Sequence, residues 1–165
     1  MRKCALALLL FLSATMAADG RGNLQPPSNF SGHWVLASVS PERPTYDQFW
    51  FGTETKVTQD ATSLVVSRLS PAPQREARFT LDRKESRNEY VVNGQQVIRQ
   101  SRATLNGGSL LISTDTTIAE GQRYLSNILR WSLDASGMLV VGESEICGKG
   151  ECPSVITTLK FKRKD

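Results

Sequence analysis

From residue 33 onward, apolar residues recur at alternate positions in short runs, and Gly, Asn, Asp and Pro break those runs apart. Side chains of a strand point to opposite faces in turn, so runs of this kind read as strands between turns. Ten stand out: His33–Val39, Thr53–Gln59, Thr62–Arg68, Arg75–Asp82, Glu89–Val92, Val97–Leu105, Ser109–Asp115, Gln122–Leu133, Met138–Ile146 and Val155–Arg163. Asn93-Gly94 and Asn106-Gly107-Gly108 suit turns with positive φ, and Asp134-Ala135-Ser136-Gly137 is another tight reversal. Asp60-Ala61 joins the second and third runs. No helical period of 3.6 residues is sustained beyond a turn in the first long loop. The expected fold is therefore all-β, an antiparallel meander of about 8–10 strands.

The alternation also predicts which face is buried. Leu125, Leu129, Trp131 and Leu133 share one face of the long eighth run, with Asn127 among them, while Tyr124, Ser126, Arg130 and Ser132 share the other. In the last run Val155, Leu159, Phe161 and Arg163 point one way and Lys160 and Lys162 the other. A meander with one apolar face packs as a sandwich or closes on itself, and closure removes the exposed edges. A barrel of about eight strands leaves room for packed side chains or one small ligand.

The N-terminus has a different pattern. Arg2 and Lys3 precede an unbroken apolar run, Ala5 to Leu12, and small residues follow up to Ala17 and Ala18. That order is the pattern of a secretory signal peptide, here residues 1–18. The run falls far short of the roughly 20 apolar residues that cross a bilayer, so no membrane span is predicted. Residues 19–28 read as a flexible lead-in rich in Gly, Asn and Pro, and residues 29–165 as a single domain. Loss of Arg2 and Lys3 takes the basic count from 20 to 18 against 16 acids. A balance so near neutral gives no basic face, and no nucleic-acid partner is expected. The C-terminal Lys160, Lys162, Arg163 and Lys164 read as a solvated strand end. Cys147 and Cys152 remain after cleavage, in CGKGEC, and an oxidising compartment favours a disulfide between them that pins a hairpin. The spacing is not that of a CxxC redox pair. One histidine and two cysteines do not make a zinc site, so no metal and no cofactor are expected.

Asn29-Phe30-Ser31-Gly32-His33-Trp34 places a G-x-W at the start of the first strand. It resembles the G-x-W signature of lipocalins and their calycin relatives. The pieces FSGHWVL, YVVNGQQ, RATLNGGSLLIS and RWSLDASGMLVV, in that order, are also similar to a group of secreted bacterial proteins with a lipocalin-like barrel. The resemblance implies a closed lipocalin-like barrel in which Gly32 and Trp34 seal the narrow end. It also implies that a basic residue of the last strand packs across the indole, here Arg163, with Lys160 or Lys162 as substitutes. It implies no activity, because such barrels host carriers, inhibitors and enzymes alike.

Candidate chemistry is sparse. The loop from Ser40 to Gly52 holds Tyr46, Phe49, Trp50 and Phe51, a lid over an apolar ligand or a plug of the barrel. Arg68, Arg75 and Arg99 fall on faces that point inward if the register holds, where a guanidinium would hold a carboxylate by two parallel hydrogen bonds. Arg68 and Arg99, with the four loop aromatics, are the candidate ligand-binding residues. Glu143 and Glu145 share a face and read as solvated carboxylates. His33, the only histidine, lacks triad partners and reads as a surface residue. No nucleophile or base is identifiable, so an enzyme is not expected. The favoured expectation is an exported, secreted or periplasmic, non-enzymatic binder of a small apolar or amphipathic ligand. The alternative is a protein-binding module, such as an inhibitor of a secreted hydrolase, whose rigid disulfide-pinned loop would dock on a protein partner at little entropic cost.

Overall fold

A computed structural model describes residues 28–41, 51–92, 94–118, 122–147 and 150–165, with the backbone alone for 122–125, 145–147 and 150–156. Residues 1–27, which hold the expected signal peptide and nearly all of the expected lead-in, lie outside the described residues, as do Tyr46, Phe49 and Trp50 of the aromatic loop.

Every described element is a strand: β1 Gly32–Ser40, β2 Glu54–Gln59, β3 Ser63–Ser70, β4 Arg75–Thr80, β5 Asp82–Val92, β6 Gln95–Asn106, β7 Ser109–Ile118, β8 Gln122–Leu133, β9 Leu139–Cys147 and β10 Gly150–Arg163. They form one sheet in the order β4-β3-β2-β1-β10-β9-β8-β7-β6-β5. The adjacent strands whose pairing is given, including first with last, run antiparallel, with Trp34 opposite Arg163 and Val35 opposite Lys162. A meander whose first and last strands pair is a barrel, here nearly closed, and the expected all-β meander is the observed fold.

Alternation carries the core to the inside. β3 buries Leu64, Val66 and Arg68 and leaves the residues between them partly exposed. β7 buries Leu110, Ile112, Thr114 and Thr116 and exposes Leu111, Ser113 and Asp115. One end of the barrel is packed with rings. Phe30, Trp34, Phe51, Trp131 and Phe161 are all at most 2 % exposed. Phe30 and Phe51 meet Trp131 edge-on at 5.8 and 5.0 Å, and Phe51 meets Phe161 at 6.4 Å. The Trp34 indole donates to Phe30 O at 3.0 Å. The Arg163 guanidinium lies 5.1 Å from the Trp34 ring centroid and donates to Ser31 O at 2.8 Å. A Cβ on Gly32 would stand 3.2 Å from both the Trp34 ring and Arg163 Nε, so the glycine of G-x-W is the residue that lets this stack form. The chain before β1 straps across the same end. Ser28 bonds to Gly107 and Gly108 of the β6–β7 turn, and the Gln59 side chain holds Ser28 O and Phe30 N.

The remaining seam lies between β4 and β5, which stand at the two ends of the strand order. Side chains bridge it. Asn88 Oδ1 accepts from Arg78 N at 2.8 Å while Asn88 Nδ2 donates to Arg78 O at 3.1 Å, so the amide imitates a strand partner. Ser86 Oγ accepts from Thr80 N at 2.8 Å. Sequence and structure differ here. The alternation starts the fifth strand at Glu89, yet β5 begins at Asp82. Its first seven residues, DRKESRN, are polar on both faces, because an edge strand bridged by polar side chains presents no apolar period. The last strand likewise begins at Gly150 rather than Val155, so Cys147 and Cys152 stand on the paired strands β9 and β10, with Cys147 opposite Gly150. Their side chains lie outside what is described.

Two outcomes follow. Asn88→Ala removes both bonds of the amide bridge and should lower stability by about 1–2 kcal/mol, read by urea unfolding, and should speed amide exchange at Arg78. Asp60 closes the β2–β3 turn by accepting from Thr62 and Ser63 backbone and hydroxyl groups, and the Ser63 hydroxyl leads the bonds that push its carboxyl down from 3.8 to about 2. A depressed carboxylate contributes stability that is present above its unfolded value and lost as pH falls through the folded one. Stability measured between pH 4 and pH 2 should therefore fall less steeply in Asp60→Asn than in the parent.

Candidate functional site

In an up-and-down meander the connections alternate between the two ends. The turns at 60–62, 81, 107–108 and 134–138 lie at the ring-packed end with the 28–31 strap. The β3–β4 and β5–β6 turns lie at the other end, and the inward face changes character toward it.

Arg68, two residues before the end of β3, is 3 % exposed and donates from Nε to Pro71 O at 3.1 Å. Its partner in the β3–β4 ladder is Arg75. Arg75 is half-buried, and its buried Nε has no hydrogen-bond partner among the described residues. On the outer face of the sheet a cleft of about 340 Å³ adjoins the pair, lined also by the outward-facing Lys56, Ser67 and Glu76 and by Leu69 and Gln74. Gly52 packs against them with φ +62°, and a Cβ there would lie 2.0 Å from Ser70 O and 3.1 Å from Arg68 Nε. Only glycine lets the β1–β2 connection approach so closely. Phe51, one residue earlier, turns inward onto Trp131.

β5 and β6 supply the facing groups. Tyr90 is half-buried, and burial pushes its phenol well above the ordinary value against the pull of the Arg99 and Arg75 charges, so it stays protonated at neutral pH. Arg99 donates from Nε to Thr116 Oγ1 at 3.3 Å. Desolvation lowers its pKa, opposed by Tyr90 and Glu143 and aided by Arg75. Arg99 is therefore within electrostatic reach of Tyr90, Glu143 and Arg75. Glu143 follows Leu139 and Val141 on the inward face of β9 and accepts from Asn127 Nδ2 at 2.7 Å. The reading of Glu143 as a solvated carboxylate is corrected: general burial trends for Glu are overruled here by the alternation that places it in line with two buried residues. The side chain of Glu145 lies outside what is described. Three inward guanidiniums thus face one inward carboxylate among the described residues, an excess of positive charge in a setting of low polarity, where an anion is held strongly.

The sequence-derived candidates separate accordingly. Arg68 and Arg99 lie inside the barrel, and Phe51 lies in the ring cluster. Trp34 and Arg163 stack at the sealed end beside Gly32. His33 faces outward, with Nε2 at 2.7 Å from Glu54 Oε1. Tyr90 and Asn127 were not among the sequence candidates; Tyr90 alternates with the exposed Glu89 and Val91, and Asn127 shares its face with Leu129 and Trp131. Among the described residues no group of three or more His, Cys, Asp or Glu could hold a metal, and no helix is long and apolar enough to cross a membrane.

No family model matches the chain, and no curated protein matches it. Among solved structures it is similar to the REP1-NXSQ fatty acid transporter, at 14 % identity and a TM-score of 0.55, over 82 % of this chain and 96 % of that one. It is also similar to a tyrosine-to-phenylalanine mutant of that transporter, at 14 % identity and a TM-score of 0.53, over 81 % and 97 %. At this identity the likeness is one of fold.

Proposed function

We propose that the protein is an exported, non-enzymatic carrier of a small amphipathic acid, held with its carboxylate among Arg68, Arg75, Tyr90 and Arg99 and its apolar tail directed toward the ring-packed end. The observation that carries this reading is the inward cluster of guanidiniums above an apolar floor. Burying a guanidinium is costly unless a counter-charge or hydrogen bonds compensate it, and Arg75 Nε has no such bond among the described residues. A bound carboxylate supplies both. The similarity to barrels described as fatty acid transporters favours the same class of ligand. The N-terminal pattern of charge, apolar run and small residues favours export. Kinship with the lipocalin-like barrels rests on the G-x-W and its Arg163 cap.

Titration of the chain from residue 19 onward with palmitic acid, followed by tryptophan fluorescence or calorimetry, tests the reading. Palmitate should bind with one site per chain, and methyl palmitate, which lacks the charge, about tenfold or more weakly, as a charge-assisted hydrogen bond warrants. Arg75→Gln should weaken palmitate to a similar degree while leaving the circular dichroism of the barrel unchanged. Equal affinity for acid and ester would refute the carboxylate site, and failure to bind any acyl chain would refute the carrier.

A further inference from the structure

The inner wall carries a polar belt that a plain acyl chain does not need. Ser86 on β5, Ser101 on β6, Thr114 on β7 and Asn127 on β8 are direct ladder partners in succession, Ser86 with Ser101, Ser101 with Thr114 and Thr114 with Asn127. All four are buried, at 8, 1, 4 and 3 % exposure. The next inward row toward the ring-packed end is apolar, Ala103, Ile112 and Leu129. The next row toward the mouth holds Asn88, Arg99 and Thr116.

Most of the belt is satisfied internally. Ser86 bonds to Thr80, and Ser101 and Thr114 bond to each other at 2.9 Å. Asn127 is not. An ionised carboxylate only accepts, so the amide must present Nδ2 to Glu143, and Oδ1 is turned away from it. That oxygen is buried and has no partner among the described residues. It is an acceptor waiting for a donor, on the wall of the interior that the carrier reading fills with ligand.

We infer that the ligand is a hydroxylated amphipathic acid whose hydroxyl donates to Asn127 Oδ1. The inference deepens the carrier reading and rests on it. The hydroxyl suits the site better than an amine or a second carboxylate: the Arg99 guanidinium beside Glu143 disfavours another cation, and Glu143 disfavours another anion. Arg99 and Ser101 are successive inward positions of β6, so the belt lies about 7 Å below the Arg99 row. The hydroxyl is accordingly in the part of the chain nearest the carboxylate.

The test is competition binding of palmitic acid against a series of its monohydroxy derivatives, with the hydroxyl stepped from beside the carboxylate to the far end. At least one derivative hydroxylated near the head should bind about tenfold tighter than palmitate, equivalent to about 1.4 kcal/mol. A hydroxyl at the far end should bring no gain. In Asn127→Leu the preference of that derivative over palmitate should vanish. If palmitate binds and no derivative gains on it, the inference is overturned and the carrier reading stands. If neither palmitate nor any derivative binds, both fall. A preference retained in Asn127→Leu also overturns the inference, and the panel on the unaltered chain decides the matter even where that variant does not fold.

Discussion

A sheet must do something with its two edges, and here the β1–β10 ladder turns a ten-stranded ribbon into a barrel. Closure fixes which side of every strand is the inside, and it brings Trp34 and Arg163 together as partners at the end of the first and last strands. The cap that follows is a local consequence. Gly32 leaves room for the indole, the guanidinium covers it and the 28–31 strap is held over the same end. The seam left by closure, between β4 and β5, is bridged through side chains, with the Asn88 amide standing in for a missing strand.

Closure also divides the interior by depth. Rings and branched aliphatics occupy the end where the strap lies, and the burial of each large side chain contributes about 1.5–3 kcal/mol. Toward the other end the same inward positions are taken by Ser, Thr, Asn, Tyr and Arg. A wall of this kind is expensive unless its groups satisfy one another, and for the most part they do: Arg68 through Pro71 O, Arg99 through Thr116, Asn127 through Glu143. Among the described residues the polar half keeps a donor on Arg75 and an acceptor on Asn127 without partners, as the ring-packed end does the Trp131 indole N–H, and those two polar-half groups are where the wall is complementary to a ligand. The donor sits at the mouth and the acceptor about halfway down, an arrangement that an acid with a single further polar group would match.

Much of this was legible in the residues. Most of the strands carry apolar alternation, and the Asn-Gly and Asp-x-x-Gly turns mark the reversals after β5, β6 and β8. The inward faces of Arg68, Arg75 and Arg99 follow from their spacing to Leu64, Val66, Ala77, Phe79 and Val97. The first half of β5 was not legible, because an edge bridged by Ser86 and Asn88 has no apolar face to reveal it. Glu143 was misplaced for a different reason: its residue type argued for solvent and its spacing to Val141 for the interior, and spacing decided. The open acceptor on Asn127 had no sequence signal at all. It depends on a diagonal contact between β8 and β9, since the direct partner of Asn127 is Glu145 and its bond is to Glu143.

The central claim is that the polar half of the barrel exists to hold an amphipathic acid. Native mass spectrometry of the protein recovered from its own host, before and after organic extraction, tests it most directly. The account predicts an excess mass that solvent removes, matching an acid with at least one hydroxyl, on a chain shortened by the signal segment and lighter by two hydrogens for a Cys147–Cys152 bond. A bare chain, unchanged in mass by extraction and unable to take up such an acid afterwards, would contradict it.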